Sequence, residues 1–265
     1  MSRVLVFDSG VGGLSIVQSI QEQAPNVTID YAADSGFFPY GLKTDQELKE
    51  RLPMLCAALV KEAQPDLLVL ACNTASTLAL DAVRECVDIP VVGTVPAIKP
   101  AAEHTETGVV GVLATPGTVR RQYLNNLEKE FASKVKVLRY GTAGLVELAE
   151  RYVRDEVLSI DQFETAISPL FSKENGEDID TIVLACTHFP LIKHQIQNAC
   201  PKHVKKLIDS GEAIARQVIK RLKEEKPSNS SRNGRALLTG GRANKVAYST
   251  VLEKFGFLRV DIIDL

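Results

Sequence analysis

The stretch Asp66-Leu-Leu-Val-Leu-Ala-Cys-Asn-Thr74 recurs without a gap as Asp180-Thr-Ile-Val-Leu-Ala-Cys-Thr-His188, with the aspartate, valine, leucine, alanine and cysteine coinciding. Each copy is a short run with no polar face, which reads as a strand buried on both sides in a parallel sheet. Each ends in a cysteine beside Thr or Asn, and a helical pattern opens shortly after. That junction is the carboxyl end of a strand, where open α/β sheets place their ligands.

Further runs rich in Val, Ile and Leu predict strands at Arg3–Phe7, Val27–Ala32, Leu67–Ala71, Val91–Gly93, Val109–Leu113, Val135–Arg139, Thr181–Ala185 and Val204–Ile208. Helical patterns alternate with them at Leu14–Gln23, Asp45–Glu62, Ala75–Val87, Thr118–Phe131, Leu145–Tyr152, Ile160–Phe171, Leu191–Ala199 and Gly211–Glu225. A strand, a helix and a strand follow around Leu237, Val246–Phe255 and Val260–Ile263. The reading is an α/β fold of two pseudo-symmetric, doubly wound lobes with mainly parallel sheets and the active site in the cleft between them. Thr94–Pro100, with two prolines, reads as a crossing between lobes and Leu207–Gly211 as the return. The expected division is residues 1–95 plus 208–265 on the Cys72 side and residues 96–207 on the Cys186 side. Lys226–Gly234, rich in Pro, Ser, Asn and Gly, reads as an exposed loop.

The 265 residues carry 31 Lys and Arg against 33 Asp and Glu. A net charge of −2 supplies no basic field for nucleic acid or an anionic membrane. No apolar run approaches the ~20 residues that span a bilayer, and Asp8 interrupts the first apolar stretch, so the expectation is a cytoplasmic protein. Five cysteines (Cys56, Cys72, Cys86, Cys186 and Cys200) form no CxxC pair and read as free thiols. Cys56, Cys86 and Cys200 fall within helical patterns and read as core residues.

Twinned cysteines at twinned strand ends point to joint chemistry. A thiolate on one side of a carbon acid removes a proton while a thiol on the other delivers one, which inverts a stereocentre. A thiol's ordinary pKa of ~8.5 lets a modest shift supply either form. Asp8 and Ser9 are candidate neighbours of Cys72; His188, two residues past Cys186, is a candidate helper, with Glu147 to orient it. His104, His194 and His203 receive no role. The turns after Arg3–Phe7 (Asp8-Ser-Gly-Val-Gly-Gly13) and after Val109–Leu113 (Ala114-Thr-Pro-Gly-Thr118) can aim backbone N–H groups at an anion. Neither matches GxGxxG or the full Walker pattern, which disfavours a nucleotide.

Phe7-Asp-Ser-Gly-Val-Gly-Gly-Leu14, Pro39-Tyr-Gly41, Ala71-Cys-Asn-Thr74 and Cys186-Thr-His-Phe-Pro190 resemble the signature segments of bacterial glutamate racemases. The resemblance spans essentially the whole chain. It implies interconversion of L- and D-glutamate, D-glutamate supply for peptidoglycan, no cofactor, no metal, and frequent homodimers. Cys72 and Cys186 resemble the two acid/base thiols, acting on D- and L-glutamate respectively, with Asp8, His188 and Glu147 as catalytic helpers. Asp8, Ser9, Pro39, Tyr40, Gly41, Asn73, Thr74, Thr115, Thr118 and Thr187 match positions that hold the amino acid. Two departures stand out. Ala185 replaces a usual glycine, and Ser35-Gly-Phe-Phe38 is an unusual lead into Pro39 that bears on the pocket entrance. The chain also reaches its first strand without the N-terminal extension of some activator-dependent relatives.

Other readings stay open at this point. Aspartate and hydantoin racemases of the same superfamily use a similar cysteine pair. Cys72, Cys186 and His188 could hold zinc, although three soft ligands at this spacing match no known finger. A pyridoxal enzyme would need a lysine that neither cysteine loop contains. A non-catalytic binder is the remaining class, since some relatives also bind DNA gyrase.

Overall fold

The computed structural model describes residues 2–222 and 233–263. In chain order the elements begin with β1 (Arg3–Asp8), α1 (Leu14–Gln23), β2 (Thr28–Ala33), α2 (Asp45–Ala63), β3 (Leu67–Leu70), α3 (Asn73–Cys86) and β4 (Val91–Gly93). They continue with α4 (Ile98–His104), β5 (Val109–Ala114), α5 (Pro116–Val119), α6 (Gln122–Phe131), β6 (Lys136–Gly141), α7 (Gly144–Val153) and α8 (Ile160–Phe171). The last are β7 (Thr181–Ala185), α9 (Lys193–Ala199), β8 (Lys206–Ile208), α10 (Gly211–Arg221), β9 (Asn233–Leu238), α11 (Gly241–Lys254) and β10 (Arg259–Ile262). Two compact units result, Met1–Thr94 with Gly211–Leu265, and Val95–Ser210.

The first unit holds a six-stranded sheet ordered β10-β9-β2-β1-β3-β4, and the second a four-stranded sheet ordered β6-β5-β7-β8. Every strand pairing is parallel. The order β6-β5-β7-β8 repeats β2-β1-β3-β4, so the internal sequence repeat is a repeat of topology. Burial on both faces explains the unbroken apolar runs. Leu5, Phe7, Leu68 and Leu70 pack with Leu48, Leu52, Leu55 and Leu59 of α2 and with Ala75, Ala79 and Val83 of α3. Val4 and Val6, alternating with them, are also fully buried. In the second unit Val110, Val112, Val183 and Ala185 pack on Ile98 and Ala101 of α4 and on Leu124 and Leu127 of α6. Gly111 turns the other way, where a Cβ would lie 2.9 Å from Leu170 of α8.

Local chemistry sets several boundaries. Thr44 and Glu47 form a capping box at the start of α2, with the Thr44 N–H donating to Glu47 Oε2 at 2.8 Å. The Ser159 N–H donates likewise to Gln162 Oε1 at 2.9 Å, starting α8 where the pattern expects it. Three expectations change. The crossing expected at Thr94–Pro100 turns helical from Ile98 onward and opens α4, because Pro100 falls in the first turn, where its missing N–H has no intrahelical partner to lose. The single helix expected over 118–131 is two. Thr115 caps α5 by accepting from the Thr118 N–H at 3.3 Å, and Arg121 is extended before α6 begins. Of the loop expected at Lys226–Gly234, residues 226–232 lie outside the described residues, while Asn233 and Gly234 open β9.

The aspartate that opens each copy of the repeat ties the sheet at the end opposite its cysteine. Asp66 Oδ2 accepts from the Arg3 N–H at 2.7 Å at the entry of β1. Asp180, nearly buried, accepts from the Glu106 and Thr107 N–H groups at 2.7 and 3.0 Å and from Thr105 Oγ1 at 2.7 Å, just ahead of β5. Burial works to raise the Asp180 carboxyl, but these donors outweigh it and hold the group below its ordinary value. Asp180→Ala is expected to lower the unfolding free energy by roughly 3 kcal/mol at pH 7, since it strands several donors at once. Because the folded carboxyl titrates low, its contribution is complete above the ordinary value of ~4 and is lost as pH falls through the folded value. Denaturant titrations of wild type and variant should therefore converge in acid. A constant gap down to pH 2 would contradict this account.

Candidate active site

In the first unit β2 lies on one side of β1 and β3 on the other, so the winding reverses between β1 and β3. Such a switch point opens a crevice beyond the strands' carboxyl ends. Phe7 pairs with Leu70, and the Ala71 N–H donates to the Phe7 carbonyl at 2.8 Å, so Asp8-Ser9 and Cys72 leave the sheet side by side. Cys72 is the residue preceding α3 and is 6% exposed. Ser9 Oγ stands 3.9 Å from Cys72 Sγ and 3.3 Å from Asp8 Oδ1, to which it donates. The Gly10 N–H reaches the same carboxylate oxygen at 3.2 Å, and Tyr31 fixes the turn by donating its hydroxyl to the Gly10 carbonyl at 2.5 Å. Asn73 and Thr74, the first residues of α3, are buried. Asn73 Oδ1 is an enclosed acceptor with no donor among the described residues. A buried acceptor left in that state costs ~1–3 kcal/mol, which a ligand's N–H would recover.

Pro39 and Gly41 flank Tyr40, whose short 3-10 turn (Tyr40–Leu42) belongs to the same unit. Tyr40 shares an apolar cluster with Cys72 and is 1% exposed. Its hydroxyl is not at the surface: it donates to Asp34 Oδ2 at 2.6 Å. Burial first, and then the Asp34 charge, push this phenol well above its usual value.

The second unit repeats the geometry with different side chains. Ala114 pairs with Ala185, so Thr115 and Cys186 follow adjacent strands as Ser9 and Cys72 do. Thr115 Oγ1 lies 3.0 Å from Thr118 Oγ1, and Thr115, Thr118 and Thr187 are all buried. Cys186 is 6% exposed, and its Sγ is 3.9 Å from His188 Nδ1. On the far side of the ring, Nε2 meets Glu150 Oε1 at 2.9 Å, and Arg154 Nη2 donates to Glu150 Oε2 at 2.8 Å. Burial pulls an imidazole down, yet hydrogen bonding to Cys186 and Glu150, and their charges, hold His188 well above its usual value. The whole chain Cys186–His188–Glu150–Arg154 lies within one unit.

The acid beside the histidine is thus Glu150, one turn along α7 from the expected Glu147. Glu147 is exposed and lines a surface pocket with Asp161 and Thr165. Helix periodicity contained the signal, because Leu145, Val146, Leu148 and Ala149 mark the inner face and Glu150 falls on it as the one buried acid of α7. Cys56 is core, and burial raises its thiol far above the ordinary value. Cys200 is partly buried and pushed up to about 12, by burial. Cys86 departs from the core expectation and is exposed at the end of α3. Among the described residues no group of three His, Cys, Asp or Glu could hold a metal, and no helix is long and apolar enough to cross a membrane.

The profile of the Asp/Glu/hydantoin racemase family matches residues 4–218. The chain is 48% identical to a glutamate racemase of Sphingopyxis alaskensis over 81% of this chain and 80% of that protein. It is 42% identical to a glutamate racemase of Klebsiella pneumoniae over 99% of this chain and 92% of the other. In structure it matches the Escherichia coli glutamate racemase solved with L-glutamate and the activator UDP-MurNAc-Ala, with a TM-score of 0.90 and 40% identity over 99% of this chain and 98% of that one.

If Glu150 sets the protonation of His188, then Glu150→Gln lowers the His188 pKa and Glu147→Gln leaves it unmoved, as read by NMR titration of the imidazole. The sign extends to stability. A raised histidine contributes fully below its unfolded value of ~6.5, and the contribution is lost as pH rises through the folded value. Glu150→Gln should narrow that window, and an unchanged titration in the variant would assign the histidine's shift elsewhere.

Proposed function

Because the chain belongs to the Asp/Glu/hydantoin racemase family, we propose that it interconverts L- and D-glutamate by proton transfer between two thiols, Cys72 and Cys186, and supplies D-glutamate for peptidoglycan synthesis. The observation that carries this is the twinned junction. Each unit ends a central strand beside its switch point in one nearly buried thiol with a polar partner 3.9 Å away.

In this reading, L-glutamate gives its α-proton to the Cys186 thiolate. The electron pair stays on the α-carbon and spreads into the α-carboxylate, and the Cys72 thiol returns a proton to the opposite face, leaving D-glutamate and a Cys72 thiolate. The reverse reaction starts from that thiolate. His188 is near enough to exchange a proton with Cys186 between turnovers, and Glu150 holds its ring in place. Ser9, with Asp8 behind it, is in the same relation to Cys72. The Asn73 amide oxygen supplies an acceptor for the substrate ammonium, while Thr74, Thr115, Thr118, Thr187 and the Pro39–Gly41 segment supply hydroxyl and backbone groups for the carboxylates. Preorganised donors at the α-carboxylate are what make a carbanion accessible without an electron sink. The requirement for two reduced thiols suits a cytoplasmic enzyme, and the family makes a homodimer the expected assembly.

Cys72→Ser and Cys186→Ser should each reduce racemisation by about 10³-fold or more with the fold intact, since each removes the acid or base on one face. The companion experiment incubates wild type with L-glutamate, and separately with L-aspartate, in D₂O. Glutamate should lose its optical rotation and gain α-deuterium while aspartate is unchanged. Exchange on aspartate alone would sink the substrate assignment, and exchange on neither would sink the reaction.

A further inference from the structure

A set of buried polar contacts in the first unit that the proton-transfer scheme does not use surrounds Asp34, immediately after β2. Asp34 is fully buried, yet its carboxylate receives four donors. Tyr40 Oη and Arg51 Nε reach Oδ2, both at 2.6 Å, while Arg51 Nη2 and Thr239 Oγ1 reach Oδ1 at 2.7 and 2.6 Å. A charge is expensive to bury, and an apolar cluster would give packing at lower cost, so its partners specify geometry rather than bulk stability.

Thr239, which follows β9, spends every polar group it has on this turn. Its hydroxyl donates to Asp34 and accepts from the Gly36 N–H at 2.9 Å, its carbonyl accepts from Ser35 Oγ at 2.6 Å, and its N–H donates to the Ala33 carbonyl at 3.1 Å. The main chains of the two turns touch. A Cβ on Gly36 would lie 2.8 Å from Gly240 Cα, and Gly240 has φ +87°. Only glycine fits Gly36 at that distance, which gives the unusual Ser35-Gly36 lead a physical reason. From this turn the chain runs directly into Phe37, held between the Lys43 ammonium and the Arg51 guanidinium at 4.2 and 5.0 Å from its ring centre, and then into Pro39-Tyr40-Gly41.

We propose that Thr239 is a positioning residue for the Pro39–Gly41 segment, acting through the carboxylate of Asp34, so that the end of strand β9 sets the affinity of the substrate-holding turn beside Cys72. This rests on the glutamate racemase reading. The residue touches no substrate; it fixes Asp34, which fixes Tyr40, and loss of a group that aids ground-state and transition-state binding alike appears in KM while kcat holds.

The test compares Thr239→Val, which keeps the shape and removes the hydroxyl, with Thr239→Ser, which keeps the hydroxyl. Thr239→Val is expected to raise the KM for L- and D-glutamate about tenfold with kcat within about twofold, and to speed amide exchange over residues 36–43; Thr239→Ser is expected to restore both. Should Thr239→Val fail to fold, Arg51→Gln removes the donor fork from the same carboxylate and must raise KM in the same way. A folded variant with unchanged KM, a loss confined to kcat, or a Thr239→Ser as impaired as Thr239→Val would each overturn the assignment. A wild-type protein that leaves glutamate unchanged would overturn the racemase reading and this one together, whereas an active wild type with an unshifted Thr239→Val overturns this one alone.

Discussion

A parallel strand releases its chain only at its carboxyl end, and where the winding of a sheet reverses, two neighbouring strands release theirs into the same crevice with nothing above them. In this protein that constraint operates twice, at β1 with β3 and at β5 with β7. The register is tight: Phe7 stands opposite Leu70, and Ala114 opposite Ala185. Everything chemical in either unit is a consequence of which residues come next. After β3, past Ala71, and directly after β7 it is a cysteine, and after β1 and β5 a short polar residue that begins a turn.

The two half-sites share a backbone plan but not an electrostatic one. Cys72 has a hydroxyl and, behind it, a carboxylate; Cys186 has an imidazole braced by a glutamate that is itself held by an arginine. A symmetric fold therefore presents asymmetric acids and bases. For a reaction that runs both ways through the same pair of groups, that asymmetry is where a difference between the two directions would originate.

Much of this was legible in the residues alone. The central strands β1, β3, β5 and β7 were visible because burial on both faces leaves a nearly unbroken apolar run, and α1 and α8 were bounded to the residue because a change of period or a capping box marks their ends. The cysteines stood out only because the chain contains the motif twice. What escaped depended on direction rather than type. Glu147 and Glu150 are the same residue three positions apart, and only the orientation of α7 against its unit decides which one meets His188. Tyr40 could have faced water or the core, and it took the distant Asp34 and Thr239 to show that its hydroxyl is bound inside. The helix at Ile98–His104 was hidden by Pro100, which reads against a helix but sits in its first turn, where no intrahelical hydrogen bond is lost.

The aspartates at the far ends of the repeated strands give the motif a second meaning. From Asp66 to Cys72, and from Asp180 to Cys186, the count is the same six positions, while two of the five residues between differ. At ~3.3 Å per residue that count is a ruler about 20 Å long, with a backbone hook at one end and a thiol at the other. Side chains alternate faces along it, so adding or removing one residue would turn the thiol away from the crevice or unseat the hook. Composition along the strand is therefore free to drift, here from Leu67 to Thr181 and from Leu68 to Ile182, while its length is not.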